Sequence, residues 1–231
     1  MAASSAASGA IMTVFGTGMA TSTAGATTSA LPTTLAGTTI QVKDSAGVTQ
    51  TCPLYYASPT QVNLVVPSGT ALGPATFTIQ TASGSTAWTS VVVGSVAPGL
   101  FTANASGTGV GAITGVRLDA SGQQTPVGIF TYDSTAKQYV ATPISLGAAT
   151  DQVYLSLYGT GIRGFSSLAG IAVTIGGVAV PVSGAAAQSQ FTGMDQVNIG
   201  PLPRTLAGKG ISNIVLTADS MTANTVTVSI Q

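Results

Sequence analysis

Histidine and glutamate are absent from the sequence, and all six acidic residues are aspartate. Without histidine, neither Ser-His-Asp nor Cys-His catalysis can be assembled, nor a zinc site of the usual histidine type. Charge of either sign is scarce. Charged residues make up 5% of the 231, against about 25% in an average domain, and six Lys plus Arg balance the six acids. A basic footprint for nucleic acid is therefore missing, as is a polybasic patch for a membrane surface. Cys52 is the only cysteine, which excludes an intrachain disulfide. Set between Thr51 and Pro53, it reads as a small buried hydrophobe rather than a reactive thiol. No apolar run approaches the roughly 18 residues of a membrane span, so no membrane insertion is expected. Residues 1–10 lack the charged and apolar regions of a signal peptide. An extracellular or cell-surface placement, developed below, thus requires a leader not present in this chain.

What is abundant favours strands. Apolar residues reach 45%, and Val, Ile and Thr, which suit a pleated surface, are frequent among them and their neighbours. Glu and Lys, two good formers of exposed helix, are missing or rare. Twenty-nine Gly and eleven Pro supply turns. Strands are expected over residues 11–15, 38–43, 48–54, 61–66, 75–81 and 87–93. A second series follows over 112–118, 125–132, 138–142, 153–158, 214–217 and 225–230. Many short strands separated by turn residues read as a β-sandwich.

One phrase occurs twice. Gln61-Val62-Asn63 and Gln196-Val197-Asn198 each lead into apolar residues and a closing proline. The flanks repeat in the same order. Phe15-Gly16-Thr17-Gly18-Met19 answers Tyr158-Gly159-Thr160-Gly161-Ile162, and Leu35-Ala36-Gly37 answers Leu168-Ala169-Gly170. The chain is thus a duplicated unit, with domain one over 10–94 and domain two over 95–231. Residues 1–9 are expected to be a disordered or strand-donating tail.

These motifs, with Leu31-Pro32-Thr33-Thr34-Leu35-Ala36-Gly37, Ala97-Pro98-Gly99-Leu100-Phe101-Thr102 and the ending Asn224-Thr225-Val226-Thr227-Val228-Ser229-Ile230-Gln231, resemble a duplicated C-terminal β-domain family abundant in Acidobacteria of the Solibacter type. The resemblance covers residues 11–231. It implies an all-β protein of two tandem immunoglobulin-like β-sandwich domains, of the kind also seen in IPT/TIG units, at the C-terminus of longer exported proteins. It implies no catalytic motif. Family members carry an Asn-Ala-Ala-Ser-Phe strand ahead of the Phe-Gly-Thr-Gly region, and here only Ala6-Ala7-Ser8 answers to it. Domain one is therefore expected to lack its opening strand. Its open edge would accept a strand from another chain, giving self-association.

Candidate sites follow from these patterns. Gln61, Asn63, Gln196 and Asn198 read as a structural signature, with Val62 and Val197 in the core and the amides tying neighbouring loops; the competing reading is a repeated polar surface. The Gly-Thr-Gly turns lack the following helix and Lys of a phosphate loop. Tyr132 and Tyr139 flank the hairpin turned by Asp133 and should be cross-strand neighbours. Tyr132, Asp133 and Tyr139 form the candidate binding edge. Tyr55, Tyr56, Trp88, Phe101, Tyr154, Tyr158 and Phe165 are further aromatics that packing explains. No cofactor is expected; a calcium site between loops, from Asp133 and Asp151, is the one metal reading left open. The function that results is a non-enzymatic extracellular or cell-surface module for adhesion, binding or assembly, with a protein or polysaccharide partner. The alternative is a hydrolase of unrecognised type using Asp, Tyr or Lys. A regular Thr-x-Thr ladder, as an ice-binding face would need, is not seen.

Overall fold

The structure is a computed structural model that describes residues 4–81 and 84–231, with backbone alone at residues 4 and 85–90; the Trp88 side chain therefore lies outside the described atoms. It divides into two compact units. The first comprises Met1–Ala97 and Gln188–Met194, the second Pro98–Ala187 and Asp195–Gln231. The expected boundary at 94/95 thus falls at 97/98, and a short segment assigned by sequence order to the second domain belongs to the first.

In chain order the first unit holds β1 (Ser4–Ala7), β2 (Ile11–Phe15), β3 (Ala24–Gly25), β4 (Thr34–Leu35), β5 (Thr38–Lys43), β6 (Thr49–Thr51), β7 (Leu54–Ala57), β8 (Gln61–Val65), β9 (Gly73–Thr81) and β10 (Gly84–Gly94). One sheet runs β1-β10-β9-β5-β4, with β6 also on β5; the other runs β2-β8-β7-β3. Period-two alternation turns Ile40, Val42, Phe77 and Ile79 of the first sheet and Leu54, Val62 and Leu64 of the second into one core, where all are buried. Each large side chain so buried contributes about 1.5–3 kcal/mol. The strand expected over 48–54 stops at Thr51. Pro53 has no N–H for the ladder, and the chain crosses there to the other sheet, resuming as β7.

The opening strand expected to be missing is present. Residues 4–7 pair in parallel with β10, from Ser4 opposite Val91 to Ala7 opposite Gly94. Ala6 and Ala7 are buried there, so methyl-sized side chains fit where larger ones would not. Ser8 Oγ donates to Pro67 O at 3.3 Å and accepts from Gly69 N–H at 2.9 Å. The described part of the tail is an edge strand of its own unit, which corrects the expectation of a disordered segment or one donated elsewhere.

The second unit continues with β11 (Gly99–Leu100), β12 (Ile113–Leu118), β13 (Gln124–Val127), β14 (Phe130–Asp133), β15 (Gln138–Ala141), β16 (Pro143–Ile144), β17 (Gln152–Thr160), β18 (Ile171–Ile175), β19 (Val178–Val180), β20 (Val182–Ala187), β21 (Asp195–Ile199), β22 (Gly210–Ala218), β23 (Met221–Thr222) and β24 (Val226–Ile230). Its sheets run β16-β24-β22-β18-β19 and β13-β12-β17-β21-β20, with β14 and β15 as a separate hairpin. The duplication is visible strand by strand. β16 lies parallel to β24 as β1 lies parallel to β10. β17 meets β21 in the register in which β2 meets β8: Tyr158 faces Gln196 as Phe15 faces Gln61. Each unit is a two-sheet sandwich with a parallel strand at one edge, β1 in the first and β16 in the second. The described chain is built on strands throughout, a tandem of two β-sandwiches.

Candidate functional site

The hairpin β14–β15 places Tyr132 directly opposite Tyr139 and Asp133 opposite Gln138. Residues two apart on a strand share a face, so Phe130 joins Tyr132. Tyr139 sits between them, with ring centroids 5.3 Å from Tyr132 and 5.6 Å from Phe130, both edge-to-face. Pairs in this geometry favour one another beyond the area they bury. The three rings remain open to solvent: Tyr132 is 53% exposed, Tyr139 40% and Phe130 36%. Asp133 shapes the turn, its Oδ1 accepting from the N–H groups of Thr135 at 2.8 Å and Ala136 at 3.0 Å. Buried Ile129 roots the hairpin, its carbonyl accepting from Thr142 N–H at 2.8 Å. Phe130 was not singled out in the sequence. The expected strand 125–132 breaks at Gly128-Ile129, which separates β13 from β14.

The Gln-Val-Asn strands present their amides on the outer sheet face, away from the buried Val62 and Val197. Among the described residues these amides bond one another rather than a loop. Gln61 Nε2 donates to Asn63 Oδ1 at 2.8 Å, and Gln196 Nε2 donates to Asn198 Oδ1 at 2.8 Å. In the second unit Ser156 Oγ also donates to Asn198 Oδ1 at 2.8 Å. In the second unit Ser156, Gln196 and Asn198, with Thr114, Val116 and Tyr154, line a shallow uncharged groove of about 350 Å³.

The Gly-Thr-Gly turns deliver a plug. Gly18 and Gly161 have φ of 66° and 70°, a region costly for residues with a Cβ. They aim Met19 and Ile162 into the cores, where both are buried. In the second unit Asp195 fixes this turn: Oδ2 accepts from Ile162 N–H at 2.7 Å and Arg163 N–H at 3.2 Å, and Oδ1 pairs with Arg163 Nε at 2.6 Å.

The other five aspartates are likewise engaged in local structure. Asp44 and Asp119 cap turns, and both carboxyls are held below the usual range. For Asp44 the leading cause is the bond from Ala71 N–H; for Asp119 it is the bond from Ser121. Asp133 holds its own turn. Asp151 pairs with Arg117 at 3.7 Å and accepts from Ala148 N–H at 3.1 Å. Asp219 accepts from Ser166 Oγ at 2.7 Å and Ser166 N–H at 2.8 Å. The groups weighed for calcium, Asp133 and Asp151, thus have protein partners of their own. Among the described residues no three His, Cys, Asp or Glu side chains converge on a common point. Cys52 is buried, and desolvation pushes its thiol up to about 12.

No family model matches the chain, and no curated protein matches it. Among solved structures it is similar to the surface glycan-binding protein SGBP-B of the Bacteroides ovatus mixed-linkage glucan utilization locus, determined with a mixed-linkage heptasaccharide. That likeness has 13% identity over 98% of this chain and a TM-score of 0.33. The chain spans 43% of that protein's length. It is also similar to the titin Ig tandem domains A164-A165, at 10% identity and a TM-score of 0.25, covering 98% of this chain and 91% of that one. No helix among the described residues is long and apolar enough to cross a membrane.

Proposed function

We infer that the protein is a non-enzymatic binding module acting outside the cell or at its surface, and that it engages a neutral polysaccharide through Phe130, Tyr132 and Tyr139. The observation that carries this reading is the three-ring cluster held open on a hairpin. A protein with so few exposed charges gains little from leaving three large rings in water unless they meet a partner, and loops on a rigid scaffold are where binding residues concentrate. The apolar faces of sugar rings suit such a surface, and amphipathic Tyr rings add a hydroxyl at the rim. Asp133 serves as the turn that aims the rings rather than as a ligand.

Affinity electrophoresis and calorimetry against neutral glucans, xylans and mannans test the reading. One of these should bind the native chain, and Tyr132→Ala and Tyr139→Ala should each weaken binding at least tenfold without lowering Tm by more than a few degrees. Undiminished binding in the double variant would overturn the site, and indifference to every neutral glycan would overturn the ligand class.

A further inference from the structure

The internal duplication supplies a comparison that the chain makes with itself. In the second unit the outer side of the Gly-Thr-Gly strand is covered. β12 runs antiparallel along β17 from Ile113 opposite Leu157 to Leu118 opposite Gln152. Tyr158 donates its N–H to Ala112 O at 3.3 Å, and its carbonyl accepts from Phe101 N–H at 2.9 Å. In the first unit the equivalent strand, β2, is the last of its sheet among the described residues.

The ladder shows which groups this leaves open. Gly16 N–H reaches Thr60 O at 3.1 Å and Val66 N–H reaches Ala10 O at 2.9 Å. Antiparallel pairing alternates along a strand, so Met12 and Val14 bond β8, while Ile11, Thr13 and Phe15 turn their N–H and C=O groups outward. The Ile11 end is occupied: a Cβ on Gly193, in the Gln188–Met194 segment of the same unit, would lie 2.7 Å from its side chain. Thr13 and Phe15 have no backbone partner among the described residues. Beside them stands the Phe15 ring, 73% exposed and among the most exposed large hydrophobic residues of the described chain.

We propose that the Thr13–Phe15 edge receives an extended strand of a partner polypeptide, paired antiparallel, in the position that β12 and Phe101 take in the second unit. Backbone bonds would supply the pairing and side-chain fit the selectivity. The occupied edge states the chemistry. The stretch facing Ser156 and Tyr158 there is Ala112-Ile113-Thr114-Gly115-Val116, which is uncharged, with Ile113 buried and Gly115 closely packed against Leu155. The open edge is flanked by Gln61 and Asn63 and is also uncharged. The partner segment is accordingly neutral, with small and β-branched residues and a face for the Phe15 ring.

The probe is a synthetic peptide of residues 110–116 of this chain, titrated into the full-length protein and followed by amide exchange and by anisotropy of the labelled peptide. Saturating peptide should slow exchange at Thr13 and Phe15 by at least tenfold and leave Ser156 and Tyr158 unchanged. Thr13→Pro removes an outward N–H without touching the bonds to β8, and proline is tolerated at such an edge. It should abolish peptide binding at an unchanged Tm. Phe15→Asp, at an exposed position, is the second variant and should weaken binding at least tenfold. Lack of protection at Thr13 and Phe15, or peptide binding unaffected by both variants, overturns the proposal. Concentration-dependent self-association lost in Thr13→Pro, without peptide binding, would assign the edge to a second copy and overturn the partner assigned here.

Discussion

Asp195, with 1% of its side chain exposed, accepts two backbone N–H groups and one guanidinium. In a chain with six acids, this one fastens the Gly-Thr-Gly turn of the second unit to its Gln-Val-Asn strand. Removing one member of a buried pair leaves the other without compensation, at a cost of about 3–5 kcal/mol. Arg163 keeps some access to water, so Asp195→Ala should fall near the lower end, about 3 kcal/mol by urea unfolding. A loss under about 1 kcal/mol would show that water replaces the carboxylate readily. The motif could be read in the sequence, but its partner could not. Asp195 and Arg163 are 32 positions apart, and the first unit has Thr60 where the second has Asp195, so the repeat gave no clue. The Gln and Asn amides followed the same pattern: their repetition was legible, but their bond to one another rather than to loops depends on sharing one sheet face.

The turn between β5 and β6 shows how a short element depends on protonation. Asp44 Oδ1 accepts from the N–H groups of Ala46 and Val48, and Oδ2 accepts from Ala71 N–H, all at 3.0 Å. These bonds favour the ionised form and hold its native pKa below the unfolded one. The native state therefore binds fewer protons than the unfolded state through the acid range. The stabilisation is fully present above the unfolded value of about 3.9 and is lost as pH falls through the lowered native value. Tm should hold steady from neutral pH to about 5 and then decline. Asp44→Asn should lower Tm at neutral pH and make the acid decline shallower. An acid profile identical to that of the native chain would remove Asp44 from this role. Strand legibility followed length. β2 and β5 coincide with the expected 11–15 and 38–43, because five or six residues of alternation suffice to reveal a period of two. The two-residue strands β3, β4, β11, β16 and β23 carry no period. β1, made of Ser and Ala, is a strand only because β10 offers it an edge.

At the scale of the whole molecule, the duplication allowed the fold to be anticipated, and departures from it carry the proposed sites. The three-ring hairpin and the strands covering β17 belong to the second unit alone, so no repeat could announce them; the hairpin was found instead from two tyrosines flanking a turn. Cys52 distinguishes the units in another way. It is the sole thiol, buried in the first core with a thiol pushed up to about 12, and thiolate is the reactive form. A thiol reagent at pH 8 should leave the native chain unlabelled for hours and label it fully in urea. Labelling over the urea series should then track the opening of the first unit. Rapid labelling without denaturant would contradict the burial of this residue. The shared register of the Gly-Thr-Gly and Gln-Val-Asn strands has a consequence for refolding. An unfolded chain contains two near-equivalent acceptors for each donor, and β2 can zip onto β21 as readily as onto β8 until the flanks disagree. Tandem repeats are prone to such crossed assembly. Asp195 with Arg163, set against Thr60 and Ala20 in the other copy, then act as proofreading marks that let each half find itself.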